Sequence, residues 1–292
     1  MTSIKNDLNG WFVVDKPKNL SSGGVIGQLK FLFHPKKIGH AGTLDPLATG
    51  VLPVALGKAT RLIPFVMEGT KTYEFDIQWG VETDSDDLGG TIIASSPVRP
   101  KKQDILKILP QFTGNILQTP SPYSAIKING KRAYELARQG KQVQIPVRHV
   151  IISQLQLVKK TRMSASFIAQ VSKGTYIRTL AHDIAHALGT VGVVTRLHRI
   201  QDGPFTIDKA VLPQNLTLEA LLPLESVLGH LPRLDVSMTI AERICHGQRI
   251  KEPILTRPFH EKIPVAVWYQ EELIAIVCIE KGVIHPLCVL KF

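Results

Sequence analysis

Residues 39–50 read Gly39-His40-Ala41-Gly42-Thr43-Leu44-Asp45-Pro46-Leu47-Ala48-Thr49-Gly50, the densest stretch of special backbone chemistry in the chain. Its glycines permit close backbone approach, and Pro46 stiffens the turn directly after a carboxylate. Such a loop either presents Asp45 outward as a reactive group or spends it in an Asx-type turn that satisfies backbone donors. The aperiodic run that contains it is long for a connection, and long loops tend to carry function.

Working outward, residues 11–14 form a short apolar strand that Pro17 ends, and Ser21 or Ser22 caps a helix through about Phe33. After the loop, residues 51–56 read as a buried strand and 59–67 as a helix. Strict alternation over 71–80 puts Tyr73, Phe75, Ile77 and Trp79 on one face of a strand, with Thr72, Glu74, Asp76 and Gln78 on the wet side. Residues 84–90 are turn chemistry, 91–94 a strand and 102–109 a short helix. Alternating strands follow at 147–158 and 166–172, then a helix from Thr175 to about Leu188, ended by Gly189. The helical pattern stops around 231–236. Beyond it, short strands turn at His246-Gly247, Gln270-Glu271 and Lys281-Gly282. Long antiparallel-looking strands mixed with helices predict an α+β domain over 1–233, followed by a small β-rich domain over 234–292.

The chain has 292 residues, 44% hydrophobic and 20% charged, which excludes disordered, collagen-like and low-complexity classes. No apolar run approaches the ~18 residues of a membrane span, and the first residues do not read as a signal peptide; the expectation is a cytoplasmic protein. Three cysteines, Cys245, Cys278 and Cys288, form no C-x-x-C pair and no disulfide framework. Thirty-five Lys and Arg against 24 Asp and Glu leave a formal charge of +11, so the surface attracts polyanions and nucleic acid is the leading partner class.

Two further segments carry chemistry. Ser172-Lys173-Gly174-Thr175-Tyr176-Ile177-Arg178 is a strand-to-helix junction in which Arg178 either holds a carboxylate ionised or lies on a solvated helix face. Residues 118–140 start at Gln118 and interleave Tyr123 and Tyr134 with Lys127, Lys131, Arg132 and Arg138; Lys141 and Arg148 follow, with Glu135 the single acid. That pattern suits an RNA-contacting surface, or packing against the fold. His182-Asp183-Ile184-Ala185-His186 mimics zinc-binding H-E-x-x-H, but Asp replaces the Glu base, so no metal is expected there. Gly57-Lys58-Ala59-Thr60 lacks the glycine spacing of a phosphate loop.

Taken together, Asp15-Lys16-Pro17, the Asp45 loop, Lys71-x-Tyr73, Thr83-Asp84-Ser85-x-Asp87, the 118–140 stretch and 172–178 occur in the order seen in the bacterial TruB family, the tRNA pseudouridine-55 synthases, which the sequence closely resembles over roughly residues 10–204. The resemblance implies a pseudouridine-synthase fold with a mixed, mostly antiparallel central sheet, plus a PUA-like C-terminal RNA-binding domain. It implies isomerisation of uridine 55 in the TΨC loop of tRNA, on the T arm, without cofactor, metal, membrane or protein partner, by a monomer. It makes Asp45 the catalytic aspartate, Arg178 its ion-pair partner and Tyr73 the active-site tyrosine that stacks on the base. His40, Tyr176 and Leu197 match substrate-binding positions, with Lys16 and Lys71 as structural or phosphate contacts. Asn19 stands where the family usually has Gly, and Val171 where Cys is frequent. Two rivals remain: an RNA-binding module that protects tRNA without turnover, and a zinc hydrolase on His182 and His186, which predicts bound metal.

Overall fold

The computed structural model describes residues 5–124, 126–128, 130–139, 144–252 and 259–290. Its first elements are β1 (Gly10–Lys16), α1 (Ser22–Phe33), β2 (Ile38–His40), β3 (Thr49–Leu56), α2 (Ile63–Met67), β4 (Lys71–Trp79), β5 (Val81–Thr83), β6 (Ile92–Ser95), α3 (Lys102–Ile108) and β7 (Gly114–Gln118). Next come β8 (Lys127–Ile128), β9 (Lys131–Arg132), α4 (Ala133–Arg138), β10 (Arg148–Lys160), β11 (Ser164–Val171), α5 (Ile177–Ala187), β12 (Gly192–Asp202) and β13 (Phe205–Thr206). The C-terminal part holds β14 (Arg233–Asp235), α6 (Met238–Cys245), β15 (Ile250–Lys251), β16 (Val265–Tyr269), β17 (Glu272–Glu280) and β18 (Val283–Val289).

The large sheet runs β1-β3-β12-β4-β11-β10-β7, with β2 beside β3 and β13 beside β12. Every pairing in it is antiparallel except β3 with β12, where His198 lies against Thr49 and Arg199 against Gly50. The expected mixed, mostly antiparallel α+β sheet is present. Period-2 alternation sorts its residues: Phe12 and Val14 enter the core with Phe75, Ile77 and Trp79, while Trp11 and Val13 enter a second core on the other face. That second core also takes Ala266, Ile276 and Leu290 from the C-terminal sheet, ordered β14-β16-β17-β18-β15. The two sheets therefore share apolar surface instead of being joined only by a tether.

Three readings need correction. The helical pattern ahead of 231–236 gives way to β12, inside the sheet, and to 3₁₀ turns between Ile207 and Val227; β12 opens with three buried residues in a row and then buries Arg199 and Asp202, so its apolar periodicity is broken. The helix at 59–67 is a 3₁₀ segment, Gly57–Leu62, followed by the short α2, whose first turn contains Pro64. The C-terminal region is not all strand, since α6 covers one side of its sheet. Elsewhere the local chemistry behaves as read. Ser21 caps α1 by accepting from the Gly24 amide, and Asn19 adopts the left-handed φ of 67° that Gly would otherwise supply.

Candidate active site

Asp45 is positioned by its neighbours on both sides. Ser22 Oγ donates to the Leu44 carbonyl and accepts from the Leu44 amide, at 3.0 and 2.9 Å. On the other side the Pro46 carbonyl accepts from the Asn19 amide at 2.8 Å and from Lys16 Nζ at 3.3 Å. Lys16 is fully buried and also donates to the carbonyls of Pro17 and Leu20. Burial pushes its pKa down to about 8, against the opposing pull of Asp45. Lys71 is likewise turned inward, donating to the carbonyls of Met67 and Gly69 beside buried Asp202. Backbone carbonyls thus hold both lysines, and Lys71 also lines the cavity that Asp45 faces.

The Asp45 carboxylate receives Arg178 Nε at 2.8 Å, so it is committed to a charge pair and not to an Asx turn. Arg178 sits in the first turn of α5 and is buried, which removes the solvated-face reading. Its guanidinium is fully engaged: Nη1 donates to the Ser85 carbonyl at 2.6 Å and Nη2 to the Tyr123 carbonyl at 2.9 Å, with Asp87 Oδ2 3.7 Å from Nη1. Burial works against the charge, yet Asp45 and Asp87 hold the pKa above its ordinary value. Thus one planar cation ties the Asp45 loop to residues 85–87 and to the 118–124 segment.

Tyr73 faces inward from β4, between β11 and β12, and burial raises its pKa, keeping the phenol neutral. Arg199 lies across from it on β12, and Leu197 lies across from Phe75. Sequence reading missed Arg199. It is buried and donates from Nε to the Val51 carbonyl at 2.7 Å, from Nη2 to the Gly42 carbonyl at 3.1 Å and, more weakly, from Nη1 to Tyr73 Oη at 3.4 Å, while pairing with Asp202. An Arg three residues before an Asp in an otherwise alternating strand was the available signal. Gln118 was quoted without a role; its buried side-chain amide grips the Tyr176 backbone in both directions, at 2.8 and 3.0 Å. Tyr176 precedes α5, with the Arg148 guanidinium 5.7 Å above its ring.

Asp45, Tyr73, Tyr176, Arg178 and Leu197 all line one cavity of ≈ 280 Å³, with Lys173 and Gly174 among its other walls. That is near the ~300 Å³ lower bound of small-molecule sites, room for a single base with its sugar. His40 is not among the lining residues; it ends β2, five residues before Asp45, and pairs with Val54. Lys141 lies outside the described residues, as do the side chains of Lys127, Arg132 and Arg138; Lys131 is exposed and Tyr134 is half-buried in α4.

A family model described as the N-terminal domain of the TruB family pseudouridylate synthases matches residues 30–177. The chain belongs to the TruB family. The tRNA pseudouridine synthase B of Bartonella tribocorum is 42% identical over 304 residues, covering 96% of this chain and 95% of that protein. The protein of the same name from Bradyrhizobium diazoefficiens is 45% identical over 260 residues, covering 84% and 75%. In three dimensions the chain shares its fold with an archaeal box H/ACA sRNP Nop10–Cbf5 complex, at a TM-score of 0.74 and 22% identity, over 97% of this chain and 86% of that one. A Cbf5–Nop10–Gar1 complex is similar at a TM-score of 0.73 and 24% identity, over 96% and 83%. Asp45, Tyr73 and Tyr176 fall inside the segment matched by the TruB model; Arg178 and Leu197 lie past its end. Among the described residues, no helix is long and apolar enough to cross a membrane.

Proposed function

We propose that the chain is a tRNA pseudouridine synthase that isomerises uridine 55 of the T loop, with Asp45, Arg178 and Tyr73 as its catalytic set. The observation that carries this reading is the Asp45–Arg178 pair in the wall of a base-sized cavity that neutral Tyr73 also lines, in a chain of the TruB family. The reaction breaks the N1–C1′ bond, turns the detached uracil, joins C5 to C1′ and removes the C5 proton. Its minimum equipment is an ionised carboxylate beside the sugar, and Arg178 keeps Asp45 charged and oriented until the nucleotide enters. From that position Asp45 serves either as a nucleophile at C1′ or as the base of a glycal route. Tyr73, buried and protonated, offers a flat face to the uracil and a hydroxyl for proton transfer. Tyr176 and Leu197 shape a dry wall that strengthens every charge interaction inside.

The cavity accepts a nucleotide only after it leaves the loop stack, so the enzyme flips its target at a cost of a few kcal/mol. A formal charge of +11 supplies phosphate contacts for that purpose, through the basic stretch after Gln118, and His40 near the Asp45 loop meets the folded T loop. Residues 1–233 form the catalytic unit, and 234–292 a PUA-like unit that adds RNA contacts; the enzyme works as a cytoplasmic monomer without a protein partner. The test is tritium release from a tRNA transcript carrying 5-³H-uridine, by wild type and by Asp45→Asn, and on a transcript changed at position 55. Release only by wild type on the intact transcript is expected, with Asp45→Asn still binding tRNA. Tight binding without release by wild type overturns the enzyme reading in favour of a tRNA-binding module.

A further inference from the structure

Outside the cavity, α5 carries a second cluster on the face that bears Arg178. His182 and His186 follow Arg178 at successive turns, and their rings stack with centroids 4.1 Å apart. Glu82 of β5 meets both: Oε1 is 3.3 Å from His182 Nε2 and Oε2 is 3.0 Å from His186 Nε2. One ligand atom from each of the three residues lies within 4.8 Å of the others. None of the three lines the cavity, and none takes part in the isomerisation set out above.

We propose that Glu82, His182 and His186 form a binding site for one divalent transition-metal ion of the Zn²⁺ class, with solvent completing its coordination. Four-coordinate zinc with bonds of ~2.0–2.1 Å has ligand-to-ligand edges of roughly 3.3–3.4 Å. The two Glu82-to-imidazole separations, one to each carboxylate oxygen, are near that edge, and the longest ligand separation has to close from no more than 4.8 Å to admit the ion. A second shell is in place as well. Asp183 Oδ1 lies 3.1 Å from His182 Nδ1, the carboxylate–histidine arrangement that fixes an imidazole with Nε2 toward a metal. Asp86 interacts electrostatically with Glu82 and Asp183 as well as with His182 and Arg178, so further carboxylates stand near the three ligands. His186 is about half exposed, which leaves an entry path and room for a water ligand. The ion would clip α5 to β5 three residues before Ser85, whose carbonyl holds Arg178; its role is to brace that junction, and no step of the isomerisation passes through it.

The decisive experiment titrates ZnCl₂ into metal-stripped full-length protein by calorimetry and follows thermal melting in parallel. Wild type is expected to bind one ion and to melt at a higher temperature with zinc, while His186→Ala and Glu82→Gln weaken binding at least tenfold and lose the shift. His186 projects toward solvent, so its replacement should fold; melting without metal checks this. Because Cys245, Cys278 and Cys288 form no disulfide, Co²⁺ substitution in wild type supplies a second readout independent of any variant, one that tells thiolate ligands from nitrogen and oxygen ones. Visible bands of a four-coordinate nitrogen and oxygen site support the proposal. Thiolate charge-transfer bands, absence of stoichiometric binding, or unchanged affinity in a folded His186→Ala overturn it.

Discussion

Replacing Arg178 by Lys retains the charge and removes the planar fork, and the structure predicts a loss of both stability and catalysis. The guanidinium makes three short donations, to Asp45 Oδ2, the Ser85 carbonyl and the Tyr123 carbonyl. An ammonium on a shorter stem cannot reach three acceptors arranged around a plane. If it keeps one, two charge-assisted bonds are lost, at ~1.5–3 kcal/mol each, or ~3–6 kcal/mol before water re-solvates the half-buried Tyr123 carbonyl. Partial recovery leaves a net loss of roughly 3 kcal/mol, which for a chain of this size lowers Tm by about 5 °C. Asp45 then loses the fixed fork that orients its carboxylate, and misplacement on the order of 1 Å costs about 10²-fold in rate. The assay is single-turnover tritium release at saturating enzyme, beside calorimetric Tm and a tRNA Kd. An Arg178→Lys variant within threefold of wild-type rate, or with an unchanged Tm, refutes the view that the fork organises the site; loss of rate with Kd preserved supports it.

Gly50 has a φ of +97°, and a Cβ there would lie 2.3 Å from the Arg199 carbonyl oxygen across the parallel β3–β12 pairing; Gly50→Ala should therefore destabilise by ~2 kcal/mol or more, and a melting point within about 2 °C of wild type would contradict the tight approach of these strands. Tyr73→Phe keeps the ring and removes an oxygen whose contact with Arg199 is long, so stability should change by less than ~1 kcal/mol while single-turnover release slows at least ~10-fold; an unchanged rate would reduce Tyr73 to a packing surface. Lys16 has a folded pKa of about 8 against an ordinary 10.5. Both states are protonated below pH 8, where the burial cost is complete, and between pH 8 and 10.5 the unfolded chain binds the extra proton. Wild-type stability should then rise relative to Lys16→Met by up to ~3 kcal/mol as pH increases through that window, and denaturant titrations giving a flat difference would remove Lys16 as the source.

Much of this architecture was legible because it rests on local rules. Alternation over 71–80 found β4 and put Tyr73 on its inner face, Ser21 marked the start of α1, and the Gly and Pro spacing of 39–50 singled out Asp45 before any contact was known. The interior elements were harder. β12 buries Arg199 and Asp202, polar residues where alternation calls for apolar ones, so the strand holding Leu197 and Arg199 went unread. Likewise, the spacing of His182 and His186 gave no sign of Glu82, which meets both rings from a distant strand.

The sequence by itself determined which segments alternate, which turn, where a carboxylate is set in a stiff loop, and that the surface carries an excess of positive charge. It left open whether Asp45 meets backbone or a cation, whether Arg178 faces water or the core, and which side chains surround Tyr73. Only the tertiary structure decided those, since each depends on a contact between residues far apart in the chain: Arg178 reaches Asp45 across 133 positions, and Arg199 reaches Tyr73 across 126. Local backbone preferences are encoded residue by residue, whereas the environment that sets a charge or orients a ring exists only after the sheet has closed around it.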